Sequence, residues 1–200
     1  MKRVGILNFH FSNCNYGAVL QAASLQAFLR ENGYDPVNID FVPDSGESVS
    51  LAAKARKLLR PIKKIITGGK KKSSDGVTNS EVFQDFRNKW ITTTKNKYQN
   101  SQDLENEDWD FGAYIVGSDQ VWRSTYTRKF TPEYFFSFLP TDANKIAYAA
   151  SFGVDIWEGN SELTTNIKKL LTQFKAVSVR EVSGVDICRK TFNVDAILLT

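Results

Sequence analysis

The chain is expected to fold as an α/β domain: a doubly wound, mostly parallel, Rossmann-like sheet flanked by helices. Three observations carry that expectation. Short apolar runs alternate with helical patterns in the order β-α-β-α…β…β-α-β-α-β. Residues 2–42 read as a complete strand–helix–strand unit, whose crossover should be right-handed. Four strands run out into polar or glycine-containing turns, at 8–17, 117–122, 151–153 and 180–184. Parallel strands share a direction, so these turns should gather along one edge of the sheet, where ligands bind in such folds.

The first unit opens on Val4, Ile6 and Leu7, a short apolar run of the kind a buried strand carries. The run dissolves into the polar and aromatic turn Asn8-Phe9-His10-Phe11-Ser12-Asn13-Cys14-Asn15-Tyr16-Gly17. A helical pattern follows through Ala18, Leu20, Ala22, Leu25 and Phe28. Asn15 is placed to cap that helix, and Gly17 lets a ligand or backbone approach its first turn. A helix N-terminus offers N–H donors and a partial positive charge. The turn therefore reads either as a binding turn for a phosphate, carboxylate or sugar, or as a plain strand-to-helix connection. Gly33 stands as a C-cap, and Asp35-Pro36 is expected to break the chain before a second, alternating strand at 37–42. Asp40 stands where dinucleotide folds hold a ribose, but the first turn lacks G-x-G-x-x-G, so no dinucleotide site is expected.

The net charge of +4 is unevenly spread. Nine Lys and Arg residues fall between 54 and 72 with no acidic residue among them, which leaves the rest of the chain about −5. Residues 51–67 form a basic amphipathic pattern interrupted by Pro61, and 68–76 read as a flexible loop, so 51–76 is expected to be an insertion in a single domain spanning 1–200. Two readings of the charge stay open: a solvated helix face, or peripheral contact of 51–72 with an anionic membrane surface or polymer. Nucleic acid is not expected, because no recognised binding motif accompanies the charge. No apolar run reaches the length of a membrane span, and Met1-Lys2-Arg3 leads straight into a strand, so a cytoplasmic location is expected, peripheral to the membrane if 51–72 meets it. Cys14 and Cys188 are far apart and match no metal spacing, which points to free thiols and no metal site.

Ser80 to Trp90 reads as a short helix with Phe83, Phe86 and Trp90 on one side. Residues 92–110 read as irregular, with a helical turn near Asp103-Leu104. Residues 111–116 make a buried strand that ends in Gly117-Ser118-Asp119-Gln120-Val121-Trp122. There a hydroxyl, a carboxylate, an amide and an aromatic ring on which a sugar could stack stand together at the sheet edge. The plain alternative is a capped turn with Trp122 in the core. An aromatic patch at 123–144 is read mostly as core. A strand at 145–150 turns out at Ser151-Phe152-Gly153, a helix spans 161–174, and a strand at 176–179 ends in Arg180-Glu181. A short helix at 183–189 and a last strand at 194–199 complete the pattern.

Four motifs carry a family resemblance: NYGAVLQA at 15–22, VGSDQVW at 116–122, KIAYAASFG at 145–153 and SVREVSG at 178–184. In this order and at this spacing they resemble the polysaccharide pyruvyl transferase family, over nearly all of residues 3–197. The resemblance implies the N-terminal half of a glycosyltransferase-B-like fold, with the active site between two Rossmann-like domains. It implies transfer of a pyruvyl ketal from phosphoenolpyruvate, as donor substrate, to sugar hydroxyls in capsule, exopolysaccharide or cell-wall polymer synthesis, with no cofactor. It also implies a second, donor-binding domain carrying an acid/base histidine. The chain's one histidine, His10, lies in the first turn. The expectation is thus that these 200 residues are an N-terminal portion, or work with a partner chain.

Within that frame Asp119 is the catalytic candidate, to orient or deprotonate an acceptor hydroxyl. Arg180 is either a bidentate holder of the donor's carboxylate or phosphate, or a structural partner of Glu181. Asn15, Tyr16, Gly17, Ser118, Gln120, Trp122 and Ser151 are expected to shape the cleft or touch a saccharide acceptor, free or lipid-linked. His10 is read as a hydrogen-bonded structural residue. Rival readings are a nucleotide-sugar glycosyltransferase and a non-catalytic carbohydrate-binding or assembly module.

Overall fold

The structure, a computed structural model, describes residues 2–44 and 79–199. The basic stretch at 51–76 lies outside the described residues. Residues 1–43 and 79–200 form one compact unit, and the description below concerns that unit.

Its centre is a parallel sheet of seven strands in the order β3-β2-β1-β4-β5-β6-β7. The first is β1, Lys2–Leu7, followed by helix α1, Tyr16–Glu31, and β2, Tyr34–Phe41. Helix α2, Asn79–Trp90, leads into β3, Thr93–Tyr98, and the one-turn helix α3, Ser101–Glu105, precedes β4, Ala113–Gly117. After β4 come the short helix α4, Ser124–Thr127, and the tight 3₁₀ turns Arg128–Phe130 and Pro132–Phe135. The remaining elements are β5, Lys145–Ala150; α5, Ser161–Leu171; β6, Phe174–Val179; α6, Val182–Ile187; and β7, Ile197–Leu198. The expected doubly wound α/β architecture is thus observed.

Alternation along the strands divides the core into two layers. Val4 and Ile6 pack with Leu25 and Leu29 of α1 on one face. Leu7, Val37, Ile39, Phe41, Tyr114 and Val116 belong to the other, larger layer, with Phe130, Tyr134, Phe135 and Phe136 of the aromatic segment and Ile167 and Leu171 of α5. Period-two side chains on a central strand are buried on both faces, which is why these runs are so apolar.

Two expectations are corrected. Asp35 and Pro36 do not break the chain; they lie inside β2, paired with Arg3 and Val4 of β1. On its other side β2 meets β3 only from Asn38 onward, where the Asn38 N–H donates to the Thr92 carbonyl. Pro36 thus sits where its missing N–H faces no strand. Residues 93–98 are also a strand rather than irregular. β3 is an edge strand with only Tyr98 buried, so TTKNKY needs no apolar alternation. Among the described residues no helix is long and apolar enough to cross a membrane.

Candidate functional site

Strand order reverses between β1 and β4, whose chains leave in opposite directions across the sheet. In open α/β sheets the crevice outside the carboxyl ends of such a pair is the usual ligand site. Helix α1 and the turn after β4 meet here. Gln21 of α1 donates from Nε2 to Ser118 Oγ at 2.6 Å, tying the helix to that turn.

The β4 turn is held in an unusual backbone shape. Gly117 has φ 133° and Ser118 φ 60°. A Cβ on Gly117 would stand 2.3 Å from the Tyr148 carbonyl oxygen, so only glycine fits. The Ser118 N–H donates to Tyr148 O at 2.8 Å, and the Ser151 N–H donates to Asp119 O at 3.0 Å. The exits of β4 and β5 are thereby zipped together, and left-handed backbone at a non-glycine residue is kept only where surroundings enforce it.

Asp119 is the central group of this edge. Its Oδ1 accepts the Gln120 N–H at 2.7 Å, while Oδ2 is buried with no hydrogen-bond partner among the described residues. Burial pushes the carboxyl above its ordinary value, an effect that the Gln120 N–H and the charge of Arg180 partly reverse. A carboxyl whose charged form is disfavoured in this way is suited to exchanging a proton.

Arg180 and Ser151 complete the edge through a residue that the sequence reading left outside the site. Ser151 is buried, and its Oγ donates to Glu181 Oε1. Arg180 Nε lies 3.4 Å from the same oxygen, with its side chain 41% exposed. The pair with Glu181 uses Nε, so Arg180 has the structural partner that one of the two readings expects, and no hydrogen bond of its terminal nitrogens is seen among the described residues.

The other candidates separate. Asn15 is the N-cap of α1, accepting the Ala18 N–H at 3.2 Å, and Gly17 sits beneath that cap. Tyr16 is exposed, with its ring 4.5 Å from that of Phe83. Gln120 packs against Gly153, where a Cβ would come within 2.7 Å of its amide. Trp122 is corrected: it is fully buried, stacked on Phe135 at 4.8 Å, and its Nε1 donates to Tyr134 O at 3.0 Å. Its indole N–H has an internal partner and its faces are covered, so it is core and no platform for a sugar.

A second feature lies beside the β1 turn. A cavity of about 310 Å³ is lined by His10, Asp40, Arg87 and Lys97, among others. His10 is buried, with Nδ1 3.4 Å from Asn8 O and Nε2 3.1 Å from Asp40 Oδ1, so it is hydrogen-bonded as expected. Sequence reasoning did not assemble this cavity. Asp40 lies next to the end of β2 and so shares the sheet edge, which was legible, but Arg87 arrives from a helix whose docking the sequence does not specify. Among the described residues no group of three or more His, Cys, Asp or Glu could hold a metal ion.

The family model described as polysaccharide pyruvyl transferase matches residues 15–200. That span contains the β4 turn, the β5 exit, the β6 exit and the capped start of α1. No curated protein and no solved structure matches the chain.

Proposed function

This chain belongs to the polysaccharide pyruvyl transferase family, and on that premise we propose that it acts in the transfer of a pyruvyl group from phosphoenolpyruvate to a saccharide as a ketal. Two sugar hydroxyls add to the enol carbon, the methylene carbon gains a proton to become a methyl group, and inorganic phosphate leaves. The other hydroxyl proton ends on the departing phosphate, directly or through a base, so that no net proton is released. The products are polymers of the capsule, exopolysaccharide or cell-wall class.

Supporting this reading is one juxtaposition: a half-buried carboxyl, Asp119, whose Oδ2 has no hydrogen-bond partner among the described residues, within electrostatic reach of Arg180 at the switch-point edge. Arg180 holds the donor's carboxylate or phosphate through its terminal nitrogens. Asp119 handles a proton at the acceptor hydroxyl, for which its burial suits it. The Gln21–Ser118 bridge fixes the wall against which the acceptor lies. In this reading a second domain or a partner chain supplies the rest of the donor's contacts.

The test is ¹³C-labelled phosphoenolpyruvate incubated with the protein and a panel of oligosaccharides. A ketal methyl resonance that grows with phosphate release supports the reading. Donor turnover with no ketal on any acceptor would count against it, and tight binding of a nucleotide-sugar instead would favour glycosyl transfer.

A further inference from the structure

We propose that the cavity beside the first turn binds a single hexose-sized sugar unit bearing a carboxylate, as a subsite of the acceptor chain distinct from the Asp119–Arg180 edge. The proposal rests on the saccharide-acceptor reading above and adds to it the charge and size of a neighbouring unit. The cavity, about 310 Å³, is at the lower end of the range for small-ligand sites, about 300–1,000 Å³. That suits one monosaccharide and is small for a nucleotide.

The wall chemistry is that of a polyol site. His10 fixes Asp40 by taking Oδ1, which leaves the other carboxylate oxygen to accept from a ligand hydroxyl. Asn13 accepts from Arg87 through its side-chain oxygen, and Asn88 accepts from Gln84 in the same way. With their oxygens occupied, both amides have N–H donors to give. Phe11 adds an apolar surface to the lining.

The charge is the more specific signal. The Arg87 guanidinium donates to Ser12 O at 2.7 Å, Asn13 Oδ1 at 2.8 Å and Gln84 Oε1 at 2.8 Å. All three are neutral acceptors, and among the described residues no carboxylate lies within ion-pair distance of Arg87. It is half-buried, and desolvation opposes its charge while Asp40 favours it. Lys97 reaches the same cavity from β3. Two cations therefore share a cavity with one carboxylate that His10 already engages. A partly desolvated cation of this kind is normally matched by an anion. The excess is about one charge, and Asp40 would repel a dianion, so a carboxylate fits better than a phosphate.

Such a unit has two chemical sources: a uronic acid in the acceptor, or a hexose that already carries the pyruvyl ketal. Binding is measured by calorimetry and by ¹H–¹⁵N spectra of the protein, without phosphoenolpyruvate. The probes are methyl glucuronide, methyl galacturonide, a 4,6-pyruvylated methyl glucoside, neutral methyl glucoside and acetate. At least one acidic glycoside is expected to bind about tenfold or more tightly than methyl glucoside and than acetate, shifting the Asp40 and Arg87 resonances. The uronide and ketal arms identify the source. In Lys97→Gln the preference over the neutral glycoside should shrink about fivefold to tenfold. Because Arg87 also holds the turn at Ser12 and Asn13, Lys97→Gln and Asp40→Asn are the informative variants. Equal binding of acidic and neutral glycosides, acetate binding as tightly as the uronides, or no binding of any glycoside would each overturn the proposal. Since no donor is present, failure of ketal formation would sink the transferase reading while leaving this result standing.

Discussion

Gln21 and Ser118 meet across the switch point, with Nε2 of one donating to Oγ of the other at 2.6 Å. They are far apart in sequence, and each belongs to a different half of the sheet. The bond sets the spacing between the first helix and the left-handed turn that presents Asp119. Replacing Gln21 by Ala should cost about 0.5–1.5 kcal/mol of stability, the usual worth of such a bond. It should lower kcat/KM for pyruvyl transfer by more than that loss alone explains, because the turn then rests on fewer constraints. Chemical denaturation and steady-state kinetics on the same preparation check both parts.

Asn15 was a binding candidate, and its side-chain oxygen is taken by the Ala18 N–H. Asn15→Ala should therefore lose about 1 kcal/mol of stability, as caps do. Asn15→Asp and Asn15→Ser, which also cap, should restore most of it. Recovery of acceptor affinity in the same two variants would establish that Asn15 acts on the site through the helix it starts.

The two cysteines should behave differently. Cys188 is buried, and burial pushes its thiol up to about 12. Cys14 is exposed in the turn after β1. A thiol reagent should titrate one cysteine in the native protein and two in denaturant. A bulky label on Cys14 should also weaken acceptor binding, and saturating acceptor should slow the labelling.

Glu133 gives a stability prediction with a definite sign. It is buried, and its Oε2 has no partner among the described residues, while Ser101 donates to Oε1. Burial raises its carboxyl, so the folded chain holds the proton more tightly than the unfolded chain does. The folded protein thus binds more protons over the window from the ordinary carboxylate value upward, and stability falls as pH rises through it. Glu133→Gln should be more stable than the parent at pH 7 by about 1 kcal/mol, with the gain vanishing toward pH 4. Urea titrations at the two pH values measure this.

Much of the fold was legible because the sheet is central and parallel. Val4, Ile6, Ile115 and Val116 are buried on both faces, and such strands write themselves as apolar runs. The strand exits were legible for the same reason, since parallel strands must all end at one edge. The edge strand β3 was not, because Thr93 to Lys97 satisfy water on one side and need no apolar code. Pro36 misled because proline normally interrupts pairing, and only the stagger of β3 leaves room for it. Trp122 could serve as platform or core on sequence alone; packing by Phe135 and Phe152 decides for core. The Glu181 link to Ser151 and the Arg87 link to the first turn join residues distant in sequence. Such links arise from the way helices dock on the sheet, which local periodicity does not record.

The most direct measurement is the rate of ketal formation by Asp119→Asn, taken together with its stability. Asp119 is isosteric with its amide, and burial already disfavours its charge. The variant should therefore fold with unchanged or higher stability at pH 7, since it removes a carboxyl whose contribution declines as pH rises. Its rate should fall at least about a hundredfold, the usual worth of a proton-transferring side chain. A well-folded Asp119→Asn protein that forms ketal at the parent rate would contradict the assignment of the switch-point edge as the reacting site.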